Sequence, residues 1–89
     1  MSNTFMADML TAGEYSKKIK ECYRMAELYA IYYKDERDSL WLDHIRKEWN
    51  EIHHLWDEGM GKCKDFVAQK CIDNMFKEYT QDFPLKGLW

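Results

Sequence analysis

Turn-forming residues are scarce in this chain of 89 residues, which contains one proline and four glycines. An all-β fold needs a break about every 8–12 residues, and this composition does not supply enough of them. Apolar runs are also short, well below the roughly 20 residues that a membrane-spanning helix requires. The sequence therefore predicts an all-α fold with no membrane segment.

Strong charge and paired cysteines are lacking as well. The net charge of −3 does not suggest a nucleic-acid-binding surface, so nucleic acid is not the expected partner. The three cysteines have no paired spacing, which indicates reduced, packed thiols. The first residues have no basic start followed by an apolar run, as a secretory signal would. These features predict a single cytoplasmic domain over residues 1–89.

A heavy apolar stripe between Ser39 and Met60 is the most prominent feature that is present. Its members recur at steps of three and four residues, which places them on one face of a helix. Two of them are tryptophans, and each buried aromatic removes roughly 150–250 Å² from water. We expect a helix over residues 39–59, ended by Gly59 and Gly61, around which the other helices pack. The stripe consists of Leu42, Ile45, Trp49, Ile52 and Trp56.

A second stripe follows a capping box, in which Thr11 is the N-cap and Glu14 the third helical residue. Small Cys22 and Ala26 lie at the middle of this stripe, where a tryptophan of the facing helix would fit. We expect this first helix to cover residues 12–34 and to lie antiparallel to the next one. Its inward stripe consists of Tyr15, Ile19, Cys22, Ala26, Tyr29 and Tyr33.

Residues 62–81 carry apolar side chains on two sides, which predicts a third helix packed between two layers. Pro84 disfavours helical geometry in Phe83, so we expect residues 82–89 to dock as an extended strap. An apolar cluster in residues 1–11 predicts a short N-terminal helix. The predicted architecture is thus a small three-helix bundle, built from an antiparallel hairpin and a third helix, with a short N-terminal helix and an extended tail.

The outer face of the first helix changes from basic to apolar along its length. Contiguous exposed apolar patches mark interaction sites, and Arg and Tyr are common in binding hot spots. The sequence leaves open whether the N-terminal segment or the tail covers this face. We expect a partner-binding or oligomer interface here, extended by the second apolar side of the third helix. The candidate interface residues are Arg24, Leu28, Ile31, Tyr32, Phe66 and Val67.

Lysines near aromatic residues suggest an alternative, in which the chain binds a nucleotide or another anionic ligand. The candidate anion-binding residues are Lys17, Lys20 and Lys62, and Lys62 stands at the predicted start of the third helix. Glu51 and His54 match a carboxylate–imidazole spacing used by di-iron bundles. Their positions on the helix face solvent, so we expect no metal and no cofactor.

His44 and Glu48 lie one turn apart, as an acid–base pair would, but no nucleophile or third orienting group accompanies them. We therefore expect a small non-enzymatic protein–protein interaction module, which acts as an inhibitor or adaptor by occupying another protein. A homo-oligomer is expected, with a dimer favoured, and the compact, aromatic-rich chain would suit a phage-encoded inhibitor of a host system. The alternatives are an oligomeric nucleotide-sequestering or anion-sequestering protein and, less favoured, a carboxylate–histidine metal site.

Overall fold

A computed structural model of the chain describes residues 11–88. Within that range the chain is an all-α three-helix bundle without strands, as the sequence predicts. No helix in this range combines the length and the hydrophobicity needed to cross a membrane. The predicted N-terminal helix over residues 1–11 lies, apart from its last residue, outside the described range. The helices are α1 (Ala12–Glu36), α2 (Ser39–Lys62) and α3 (Phe66–Gln81), followed by a short 3-10 helix (Lys86–Leu88).

Local hydrogen bonds define the hairpin of α1 and α2. The Glu14 amide donates to Thr11 Oγ1 (3.2 Å) and the Thr11 amide donates to Glu14 Oε1 (3.0 Å), which confirms the capping box. Arg37 ends α1 in the left-handed region, with φ at 58°, and its amide donates to the Tyr33 carbonyl. Asp38 then caps α2 by accepting a hydrogen bond from the Leu40 amide (3.0 Å). One tight connection therefore reverses the chain.

The prediction that Gly59 and Gly61 end the second helix is wrong, because α2 continues through both glycines to Lys62. Gly59 is buried instead. A Cβ atom at this position would lie 3.0 Å from Ile72 Cδ1 and 3.2 Å from Cγ of Tyr15. The absent side chain therefore lets α1 and α3 approach α2 closely, although glycine in a helix interior costs about 1 kcal/mol relative to alanine.

The third helix begins four residues later than predicted, at Phe66 rather than residue 62. Asp65 is its N-cap and accepts a hydrogen bond from the Ala68 amide (3.0 Å). An aspartate at this position satisfies an amide that has no partner within the helix. The capping side chain therefore decides where α3 starts, and the glycines do not.

Branched aliphatic residues form the centre of the core, with both tryptophans of the α2 stripe at its edges. Of the five stripe residues, Ile45 and Ile52 are buried, whereas Leu42, Trp49 and Trp56 are only half-buried. Leu55, which the predicted stripe leaves out, is buried as well. The Trp56 indole needs a hydrogen-bond acceptor, which Asp73 on α3 supplies at 3.0 Å. This hydrogen bond holds the Trp56 indole at the rim of the core. The fully buried side chains, with no exposed surface, include Tyr15, Ile19, Ile45, Ile52 and Ile72.

Within residues 82–88, the tail docks through Phe83 and Leu85 and is not an extended strap. Phe83 is buried and meets the Trp49 ring edge-to-face, with 5.1 Å between centroids. The chain then turns into the 3-10 helix, where the Lys86 ammonium donates to the carbonyls of Thr80 (3.1 Å) and Gln81 (2.9 Å). These carbonyls lie at the C-terminus of α3, which attracts a cation. Leu88 is exposed, and Trp89 lies outside the described range.

Candidate interaction surface

The outer face of α1 carries exposed apolar side chains. Leu28 and Tyr32 are each 40% exposed, and Ile31 is 63% exposed. Arg24 is exposed on the same side of the helix. The outward orientation expected from the sequence is confirmed, since the opposite side of α1 packs on the other two helices.

Met25 belongs to the same surface, although sequence analysis did not select it. It is exposed, and its spacing to Leu28 and Tyr32 is three and seven residues. That spacing places the three side chains along one line of the helix, so the signal was available. We call the four residues Met25, Leu28, Ile31 and Tyr32 the α1 patch.

Ring contacts with the start of α2 hold one edge of the α1 patch. The Tyr32 ring lies 4.9 Å from the Trp41 ring, which in turn lies 5.8 Å from Tyr29. The Trp41 indole donates a hydrogen bond to Glu36 Oε1 (3.0 Å). His44 stacks on Tyr29 at 5.2 Å. Tyr32 is therefore braced by neighbouring rings, which reduces the conformational entropy that binding would cost.

Within residues 82–88, the tail flanks the other edge of the α1 patch without covering it. Pro84 and the α1 residues Glu27, Ala30, Ile31 and Lys34 line a shallow groove of about 240 Å³. Ile31 remains the most exposed residue of the patch despite this neighbour. Residues 82–88 of the tail therefore do not cover the patch, and Trp89 lies outside the described residues. Any cover from the N-terminal segment lies outside the described residues.

Phe66 and Val67 lie at the opposite end of the bundle. They are 73% and 70% exposed, so within residues 11–88 this side of α3 is not packed between layers as predicted. Ser16 Oγ lies 3.5 Å from Cys71 Sγ, which places the start of α3 beside the start of α1. Leu28 is about 12 residues, or roughly 18 Å, further along α1. The six predicted interface residues therefore form two surfaces, and we call Phe66 and Val67 the α3 patch.

The candidate anion-binding lysines do not converge either. Lys17 and Lys20 are exposed on α1, and Lys17 borders a shallow depression that it shares with Glu14 and Glu21. Lys62 is part of the last turn of α2, so its expected place at the start of α3 is wrong. Its ammonium lies 3.8 Å from Glu58 Oε2. A lysine at a helix C-terminus stabilises that helix, and it is not aimed at an anion site on α3.

Glu51 and His54 are both exposed to solvent, as their angular positions around the helix predict. The partner of His54 is Glu58, with 3.3 Å between Nε2 and Oε1. In the part of the chain that the structure describes, no group of three or more His, Cys, Asp or Glu residues is placed to hold a metal ion. The described geometry thus lends the metal alternative no support.

Cys22 opens onto a cavity of about 220 Å³ between α1 and α2, beside Glu21, Glu48 and Glu51. Burial, together with the carboxylate of Glu48, raises the pKa of the Cys22 thiol to about 12. The thiolate is the nucleophilic form of cysteine. Cys22 is therefore protonated near neutral pH, and this site does not suit nucleophilic chemistry.

A contact that sequence analysis missed joins α1 to the last turns of α2. The ring of Tyr15 is buried, and its hydroxyl donates to Glu58 Oε2 (2.7 Å). Burial and this hydrogen bond raise the pKa of Tyr15 to about 12, while the same bond lowers the pKa of Glu58. The two residues are 43 positions apart, so no local pattern in the sequence indicates the contact.

We expect this contact to make stability depend on pH in both directions. The raised pKa of Tyr15 stabilises the fold below pH 10, the ordinary value for tyrosine, and this contribution disappears as the pH rises towards 12. The lowered pKa of Glu58 stabilises the fold above pH 4.5, the ordinary value for glutamate, and this contribution is lost as the solution becomes more acidic. Thermal melts across these ranges should show both losses. Tyr15→Phe should reduce them and Tyr32→Phe should not; equal losses in both variants would contradict the assignment.

Exposed apolar side chains are thus the feature of this bundle that its internal packing does not explain. Most of them belong to the α1 patch and the α3 patch, while Leu40 and Leu88 are exposed elsewhere. The α1 patch differs from the α3 patch because the Tyr32 ring is braced by the Trp41 ring. Comparisons with models of protein families, with curated proteins and with solved structures found no match for this chain. We therefore infer the function from the geometry of these surfaces.

Proposed function

We propose that this protein is a non-enzymatic protein–protein interaction module, which acts as an inhibitor or adaptor by occupying another protein. The observation that carries the proposal is the exposure of large apolar side chains in two separate places. These are the α1 patch and the α3 patch, around a core in which five large side chains are fully buried. Exposed contiguous apolar surface is unfavourable in water and is typical of binding sites.

The composition of the α1 patch supports a protein partner in particular. Tyr32 is a rigid aromatic braced by Trp41, and Arg24 stands at the basic end of the patch. Tyrosine and arginine are among the residue types that contribute most of the binding energy at protein interfaces. A surface of this kind needs no cavity, since another helix or a flat protein face can cover it.

The alternative, an oligomer that sequesters nucleotides or other anions, has weaker geometric support. Lys62 already lies 3.8 Å from the Glu58 carboxylate, and Lys17 has Glu14 and Glu21 as neighbours. Neighbouring carboxylates reduce the attraction of a lysine for an anion. Isothermal titration calorimetry with nucleotides distinguishes the two functions, because saturable heat would favour sequestration.

The proposal predicts that a charge in either patch weakens binding of a protein without unfolding the chain. A pull-down from the source cells, analysed by mass spectrometry, identifies a candidate, and its affinity is then measured with purified proteins. At least one of the two variants Ile31→Asp and Val67→Asp should reduce that affinity about 100-fold, because an unpaired charge is costly in a dry contact. The folding free energy of the unbound variant should differ from that of the wild type by no more than about 0.5 kcal/mol, as is usual for substitutions at exposed positions.

Asn50→Asp is the matched control, since Asn50 is exposed on α2 and the variant adds the same negative charge elsewhere. It should bind like the wild type. If Ile31→Asp and Val67→Asp also bind like the wild type, neither patch is the working surface. Circular dichroism of all three variants establishes that helix content is unchanged.

A further inference from the structure

We propose that the α1 patch is occupied by the α1 helix of a second copy of this chain, lying antiparallel across a two-fold axis. The axis passes between residues 29 and 30. The inference rests on the proposed function and names the partner of one of its two surfaces. The α3 patch, at the other end of the bundle, then remains free for a different protein.

The spacing of four exposed residues on α1 carries this inference. Arg24, Leu28, Ile31 and Asp35 follow one another at steps of four, three and four residues, and all four are exposed. At about 100° per residue they lie within a band roughly 60° wide. The order of these steps, four, three and four residues, is the same in both directions along the helix. A two-fold axis at the centre of this spacing therefore brings Leu28 opposite Ile31 of the second copy.

Charge complementarity selects the antiparallel arrangement. The same axis brings Arg24 opposite Asp35 of the second copy, and the symmetry repeats this pair on the other side. A parallel pairing would instead place arginine against arginine and aspartate against aspartate. Opposite charges at the edge of an apolar contact fix its orientation and disfavour other arrangements.

The same register directs Glu21 towards Asp38 of the second copy, but Asp38 lies beyond α1, which ends at Glu36, and caps α2. The Asp38 carboxylate already accepts the hydrogen bond from the Leu40 amide that caps α2. Lys17 and Lys18 lie within one turn of Glu21 and compensate its charge. The approach lies at the periphery of the contact, where solvent screens it.

The size of the surface predicts a dimer that forms and dissociates readily. An apolar patch of this kind covers on the order of 300–600 Å², whereas a standard stable interface buries about 800 Å² on each partner. The charged flanks and the groove beside Pro84 add to the covered area. We therefore expect association in roughly the micromolar range.

Charge reversal tests the arrangement by sedimentation equilibrium. Arg24→Asp places aspartate against aspartate in both symmetry-related pairs, and Asp35→Arg places arginine against arginine. Each variant alone should dimerise about tenfold more weakly than the wild type. An equimolar mixture of the two variants restores both complementary pairs, so it should form a heterodimer of nearly wild-type affinity. The double variant carrying both changes should also recover.

Every other outcome overturns the inference. A wild-type chain that stays monomeric at high micromolar concentration has no second copy on the α1 patch, and the binding test with Ile31→Asp then still decides the proposed function independently. A dimer insensitive to both charge reversals and to Ile31→Asp uses another surface. If both single variants weaken the dimer but their mixture does not restore it, the antiparallel arrangement is wrong. Circular dichroism of each variant excludes unfolding as the cause.

Discussion

Replacement of Gly59 by leucine is expected to cost about 3 kcal/mol of folding free energy or more. Even a Cβ atom at this position would lie 3.0 Å from Ile72 Cδ1 and 3.2 Å from the Tyr15 ring, and leucine adds three further carbons. Overpacking a filled core typically costs 1–3 kcal/mol and sometimes more. Because α1 and α3 both contact α2 here, they would have to move apart. Chemical denaturation of the variant measures this loss.

Gly61 supplies the matched control, because it lies two residues further along the same helix. A Cβ atom there would meet no atom within 4 Å. Gly61→Leu should therefore leave stability unchanged or raise it by up to about 1 kcal/mol, through the better helix propensity of leucine. Equal effects of the two substitutions would show that Gly59 is not at a close helix contact.

Replacement of Ile52 by alanine is expected to cost about 2–5 kcal/mol, the range for truncation of a buried aliphatic side chain. Ile52 has no exposed surface and belongs to the hydrophobic core. A domain of ordinary stability has only 5–15 kcal/mol in total, so the melting temperature should fall by many degrees. Thermal and chemical denaturation should agree on the loss.

Ile31→Ala is the control for Ile52→Ala, since the same atoms are removed from a side chain that is 63% exposed. It should change stability by no more than about 0.5 kcal/mol when measured at dilutions at which the chain is monomeric. If Ile31→Ala destabilises the chain as strongly as Ile52→Ala, Ile31 is covered in solution. The assignment of the α1 patch would then have to be abandoned.

Local patterns in the sequence predicted the helices and most of the α1 patch. The capping box of Thr11 and Glu14 is formed by residues three apart, and both of its hydrogen bonds are present. The exposure of Leu28, Ile31 and Tyr32 follows from helical periodicity once the inward stripe of α1 is known. Such features depend on residues within one or two helical turns of each other, and these residues are close together in the sequence.

Long-range packing accounts for the errors. Trp49 and Trp56 share the stripe with Ile45 and Ile52, yet the isoleucines are buried and the tryptophans are only half-buried. The indole of Trp56 lies within reach of Asp73 on another helix. A periodic pattern identifies a helix face but does not rank its members by depth, since depth depends on where the facing helices lie.

The all-α class, the hairpin and the outward-facing residues of α1 follow from the sequence alone, because each depends on periodicity and capping within one segment. The packing of the three helices places Gly59 at a helix contact and brings the Tyr15 hydroxyl to Glu58, 43 residues away along the chain. It also separated Phe66 and Val67 from the α1 patch. These outcomes depend on how the three helices pack against each other. The number of residues between two positions does not determine how far apart they lie in space.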